Sequence, residues 1–90
     1  MNNAATASGL KISSVLINSN PGRVMAFVVQ PSTVAALHDS QDATGPIVVK
    51  LTADTDSVVY HTDSGVVYNN GLYLEIISGT NGAEAYYVIS

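Results

Sequence analysis

Turn-forming residues cut this chain into runs too short to be anything but strands. Ser19-Asn20-Pro21-Gly22, Pro31, Asp39–Gly45, Asp54-Thr55-Asp56, Asp63-Ser64-Gly65, Asn69-Asn70-Gly71 and Ser78–Gly82 punctuate it at short spacing. Pro presets φ, Gly admits positive φ, and Asn or Asp bonds its own backbone, so each cluster has a mechanism for reversing the chain. Between them lie runs rich in Val, Ile and Tyr, without the 3.6-residue periodicity of a helix. The spacing predicts strands over residues 10–18, 23–30, 33–38, 47–53, 57–62, 66–68, 72–77 and 83–89. The last three read as a β-meander closed by the Asn69-Asn70-Gly71 and Ser78–Gly82 turns. In the 47–53 run, Ile47, Val49 and Leu51 alternate with Val48, Lys50 and Thr52, as expected of a strand with two unlike faces. The fold class expected is all-β, a small antiparallel β-sandwich of about eight short strands.

Ninety residues suffice for one domain, close to the lower size at which a chain buries enough surface to fold alone. Residues 1–8, small and polar, read as an extended N-terminal arm, and residues 9–90 as a single sandwich domain. No cysteine is present to reinforce the core. Only ten residues are Asp, Glu, Lys or Arg, about half the usual charged share. A surface so poor in charge favours assembly, with a coat of Ser, Thr and Asn as the alternative. Lys11, Arg23 and Lys50 are the only cations against a net charge of −4, and a nucleic-acid partner needs a cluster of them. The longest wholly apolar run, Val24–Val29, is far shorter than the ~20 residues that span a bilayer. Met1–Ser8 has neither the basic start nor the apolar centre of a signal peptide. Neither nucleic acid nor membrane is expected as a partner.

Two runs break the alternation. Val24-Met25-Ala26-Phe27-Val28-Val29 is apolar on both faces and Tyr86-Tyr87-Val88-Ile89 is nearly so. A strand apolar on both sides is covered on both sides, whereas a two-layer sandwich normally leaves one sheet face in water. The cover is either a neighbouring subunit or a long loop such as 39–46. On the first reading, a partner interface includes Met25, Phe27, Val29, Tyr86 and Tyr87. The arm adds Asn2, Asn3, Ala4 and Thr6, laid along a neighbour.

Chemistry-bearing residues are few. His38-Asp39-Ser40 holds the three residue types of a hydrolytic triad, but neighbours on an extended strand point to opposite faces and cannot bond in series. No catalytic residue is expected, and the chain is not expected to be an enzyme. Asp54-x-Asp56 lacks the Gly and the closing Glu of a calcium loop. Ordinary turn chemistry accounts for it and for His61-x-Asp63, leaving a surface cation as the alternative, and neither metal nor cofactor is assigned. Glu75 and Glu84 would face each other across a hairpin closed by Ser78–Gly82 and mark its wet side. Tyr60, Tyr68, Tyr73, Tyr86 and Tyr87 suit either cross-strand packing or an interface that stacks on sugars or protein.

The chain also resembles small virion proteins of tailed bacteriophages over about residues 9–90. The resemblance is carried by Asn20-Pro21-Gly22-Arg23-Val24-Met25-Ala26-Phe27, by His38 through the Asp39–Gly45 loop to Ile47, and by Asn70-Gly71-Leu72 through Ser78-Gly79-Thr80 to Tyr86-Tyr87. It implies a jelly-roll-like sandwich without catalytic residues, used as a capsid decoration (cement) protein. The implied partner is the major capsid protein and the implied place the capsid surface, after synthesis in the host cytoplasm. A homo-oligomer is implied, with a trimer as the form that the resemblance favours. A head or tail fibre module contacting host glycans through the tyrosines is the alternative.

Overall fold

A computed structural model describes residues 5–89 of the chain. The described residues form eight strands and no helix: β1 (Thr6–Ala7), β2 (Val15–Asn18), β3 (Gly22–Val29), β4 (Thr33–His38), β5 (Ile47–Ala53), β6 (Val58–Tyr68), β7 (Leu72–Ser78) and β8 (Ala83–Ile89). They make two antiparallel four-stranded sheets, the first in the order β1-β8-β3-β6 and the second in the order β2-β7-β4-β5. First pairs with last, second with seventh, third with sixth and fourth with fifth. The chain is thus one long hairpin doubled at the β4–β5 loop. It is rolled so that β8 also pairs with β3 and β7 with β4. This is the order of an eight-stranded jelly roll.

The predicted meander does not form. β6 and β8 belong to the first sheet and β7 to the second, so both turns of the C-terminal run carry the chain between sheets. Turn residues specify that a chain reverses, and here the reversal crosses the core. Glu75 and Glu84 therefore do not face each other: Glu75 stands opposite Ala36, and Glu84 opposite Val28.

The strand count agrees with the sequence reading, but two elements are exchanged. The segment 58–68 is one strand, because Asp63-Ser64-Gly65 forms a bulge inside β6 in place of a turn. Ala26 pairs with His61 and Val24 with Val66, leaving residues 62–65 out of register. Gly65 lies at φ +86, where an added Cβ would meet Cβ of Arg23 at 2.8 Å and Sδ of Met25 at 2.9 Å. Conversely, the segment 10–18 is divided. Ser8 and Lys11 donate backbone N–H groups to Ala85 and Ala83, both at 2.8 Å, so this stretch follows β8 before the chain crosses to β2. Thr6–Ala7, within the stretch read as an arm, is β1, paired with Tyr87 and Tyr86 of the same chain.

The core lies between the sheets. Val24, Phe27 and Val29 of β3 meet Leu37, Leu72 and Leu74 from the second sheet. Ala85 and Ala83 stand beside Phe27 and Val29 in register, giving the larger side chains room. A β3 bulge at Met25 explains how Val24 and Phe27, three apart, both point inward. A second bulge, at Val48 in β5, turns Ile47 outward opposite His38, so Ile47 does not share a face with Val49 and Leu51 as the alternation predicted. Asn18 donates from Nδ2 to the Tyr68 hydroxyl at 2.7 Å, joining β2 to β6 across the core.

Candidate partner-binding faces

The outer face of the first sheet is built from the residues that alternate with the buried ones. Three register rows cross β8, β3 and β6: Val88–Arg23–Val67, Tyr86–Ala26–His61 and Glu84–Val28–Val59. Val59 and Val67 are 60% and 59% exposed. A solvated sheet face ordinarily carries polar side chains. On this lattice the charged residues are Arg23 in one outer row and Glu84 in the other, with Ala26 at the centre. Tyr86 donates its hydroxyl to Oε1 of Glu84 at 2.8 Å, and that bond with the nearby carboxylate raises the phenol's pKa above its ordinary value. Arg23 turns toward the β6 bulge, where Nη1 lies 3.5 Å from the Ser64 carbonyl.

The residues predicted at a partner interface separate by face. Tyr86 lies on the outer face, Met25 at the β3 bulge is half-buried, and Thr6 is exposed on β1. Phe27 and Val29 are instead fully buried in the chain's own core, which corrects their assignment to an interface. The opposite sheet covers one side of β3, so only Arg23, Ala26 and Val28, with the half-buried Met25, remain for a partner. Tyr87 faces inward and packs against the core. Asn2, Asn3 and Ala4 lie outside the described residues.

The outer face of the second sheet carries a feature that the sequence reading missed. His38 closes β4 on the outward side, yet it is 3% exposed. Its Nδ1 is 2.9 Å from the Gly45 carbonyl and its Nε2 is 2.8 Å from Oε1 of Glu75. A carbonyl oxygen only accepts, so the ring donates from Nδ1, and a proton lies between Nε2 and the carboxylate. Tyr73 packs edge-on at 6.4 Å between ring centroids. The His38 ring thus anchors the end of the 39–46 loop to the sheet. His38 and Glu75 are thirty-seven positions apart, and the only available signal was that both would be outward once β4 and β7 were known to be neighbours.

The 39–46 loop binds the other turns at its end of the sandwich. Asp39 Oδ1 accepts the backbone N–H groups of Asn69 and Asn70 at 2.9 and 2.7 Å. Gln41 Nε2 donates to the carbonyls of Asn70 and Ser19. Asp42 accepts from the hydroxyl and backbone N–H of Thr44, and these bonds hold its carboxyl below the ordinary range. The triad-like residues are thus separated in role: His38 binds Glu75, Asp39 caps a turn, and the Ser40 hydroxyl donates to the Asp42 carbonyl.

Among the described residues, no three His, Asp or Glu side chains gather as a metal site requires. Asp54 and Asp56 are exposed in their turn, and His61 on the sheet is separated from Asp63 in the bulge. No family model, curated protein or solved structure matches this chain.

Proposed function

We propose that this chain is a structural protein of a tailed-bacteriophage virion, a decoration protein that binds the major capsid protein and stabilises the shell. The observation that carries the reading is the exposure of large apolar side chains on both outer faces and on the approach to β2. Val59 and Val67 stand on the first face and Leu16 and Ile47 on the second, with Leu10 and Ile12 on the stretch that joins β1 to β2. Apolar patches left in water mark surfaces that meet another protein. A cement protein needs more than one such surface, because it holds neighbouring subunits together. Its mechanism is mechanical: each copy buries surface across capsid subunits, and shell rupture must first break those contacts. Burial contributes about 25 cal/mol per Å² before ordering costs, and repetition over a lattice multiplies a modest gain.

The jelly-roll order is one used by viral capsid domains, lectins and cupins. It is compatible with the reading and does not by itself assign a function. The fibre alternative draws less support from the tyrosines, since Tyr68 is buried and Tyr60 and Tyr87 pack on the core, leaving Tyr73 and Tyr86 outward. Co-sedimentation with capsids tests the proposal. The protein is expected in the capsid fraction, and capsids lacking it should release their genome at lower temperature. Absence from capsids, or unchanged heat resistance without it, rejects the cement role.

A further inference from the structure

We infer that the outer face of the β1-β8-β3-β6 sheet is a two-fold interface with a second copy of this chain. The inference rests on the reading of the apolar faces as covered surfaces, and it names the occupant of one of them. The lattice is self-complementary. Its three rows run Val88–Arg23–Val67, Tyr86–Ala26–His61 and Glu84–Val28–Val59. Take a two-fold axis lying between the copies, perpendicular to the strands and over the middle row. It reverses the order of the rows and keeps the columns. Arg23 of each copy then stands over Val28 of the other, one strand spacing of about 4.8 Å from that copy's Glu84. Val67 stands over Val59, and Val88 over the stem of Glu84.

Each copy thus offers a cation where the other offers a carboxylate, twice per dimer, as an isologous interface requires. Among the described residues, Arg23 has no carboxylate partner within its own chain. Ala26 at the centre is small enough to allow the close approach of two aligned sheets. The remaining titratable groups on this face are Tyr86 and His61, which the axis sets over their own counterparts at the two ends of the middle row, and Asp63 in the β6 bulge. β6 is an edge strand, so His61 and Asp63 can reach water. The extents of the molecule are 38 × 26 × 18 Å, so a broad face is of the order of the ~800 Å² per partner that a stable interface buries.

Sedimentation of the full chain tests this, with charge exchange as the discriminating arm. The wild-type protein is expected at twice the 9.3 kDa of the chain. Arg23→Glu and Glu84→Arg should each weaken the dimer at least tenfold, and the double exchange should restore it. Ala26→Arg, placing a bulky charge at the centre, should give monomers with an unchanged far-ultraviolet circular dichroism spectrum. A monomeric or trimeric wild type overturns the inference, as does a dimer indifferent to the exchanges. Capsid binding by a wild-type monomer would remove this inference and leave the decoration reading standing. A dimer with the expected exchange pattern that never meets a capsid does the reverse.

Discussion

The imidazole of His38 shows how much one residue's role depends on partners far along the chain. Its two ring nitrogens meet Gly45 and Glu75, and its side chain is nearly sealed from water on what is formally an outer face. Removing one member of a buried hydrogen-bonded set leaves the other group unsatisfied, which costs about 1–3 kcal/mol. His38→Ala is therefore expected to lower unfolding stability by about 2 kcal/mol in urea titration, while Glu75→Gln, which keeps a bond to Nε2, costs less than half as much. Equal losses from the two variants would place the stabilisation in the charge of the Glu75 carboxylate, since Gln keeps its size and packing. Tyr68 gives a second prediction. Its phenol is buried, and desolvation raises its pKa in the fold, partly opposed by the Asn18 hydrogen bond. As pH rises past about 10, the unfolded chain releases this proton first, so stability falls through that window. Tyr68→Phe should remove part of this alkaline loss. At neutral pH it should cost about 1–2 kcal/mol for the Asn18 amide left unpaired. Urea titrations at neutral pH and above pH 10 measure both, and an alkaline limb identical to the wild type's would assign the loss to other groups.

Among the elements, β6 is where local turn chemistry and the tertiary fold part company. Asp63-Ser64-Gly65 has the composition of a reverse turn, yet β3 runs alongside on both sides of it and holds the flanks in one strand. The surplus residues are accommodated as a bulge that raises residues 62–65 beside Arg23 and Met25. Such bulges also blunt an open sheet edge against unwanted pairing, and β6 is an edge strand. Gly65→Ala should cost about 1–2 kcal/mol from the left-handed backbone alone, with a further loss because the new Cβ meets Arg23 and Met25. Thermal melts and urea titration would register it, and a variant as stable as the wild type would mean that the bulge relaxes freely. β4 and β5, by contrast, have the bounds that the sequence predicts. They are joined by a loop within one sheet, so their pairing is local. The sequence places β1 in an arm because two residues, Thr6–Ala7, are too short to show any alternation; only the edge of β8 makes them a strand.

At the scale of the whole molecule, the rolled hairpin joins the two ends of the chain, β1 to β8, and nearly every strand pairs with one distant in sequence. Loop closure must come before such contacts stabilise anything, so folding on the order of milliseconds to seconds is expected, as for other non-local β proteins. Stopped-flow refolding measures it, and a microsecond phase carrying the full amplitude would contradict the topology. What the sequence by itself determined is the strand content, most strand bounds, and the presence of more apolar surface than one small sandwich can hide. Those follow from local causes: turn residues with special φ preferences, β-branched runs, and a shortage of charge. Only the tertiary structure decided which sheet each strand joins. It thereby separated Phe27 and Val29, sealed in the core, from Val28 and Tyr86 on the outer face, and brought His38 to Glu75. A period of two says that successive side chains face opposite ways. A single inserted residue at a bulge, or a turn that crosses between sheets, changes which way is in, and pairing partners tens of residues away select among those outcomes.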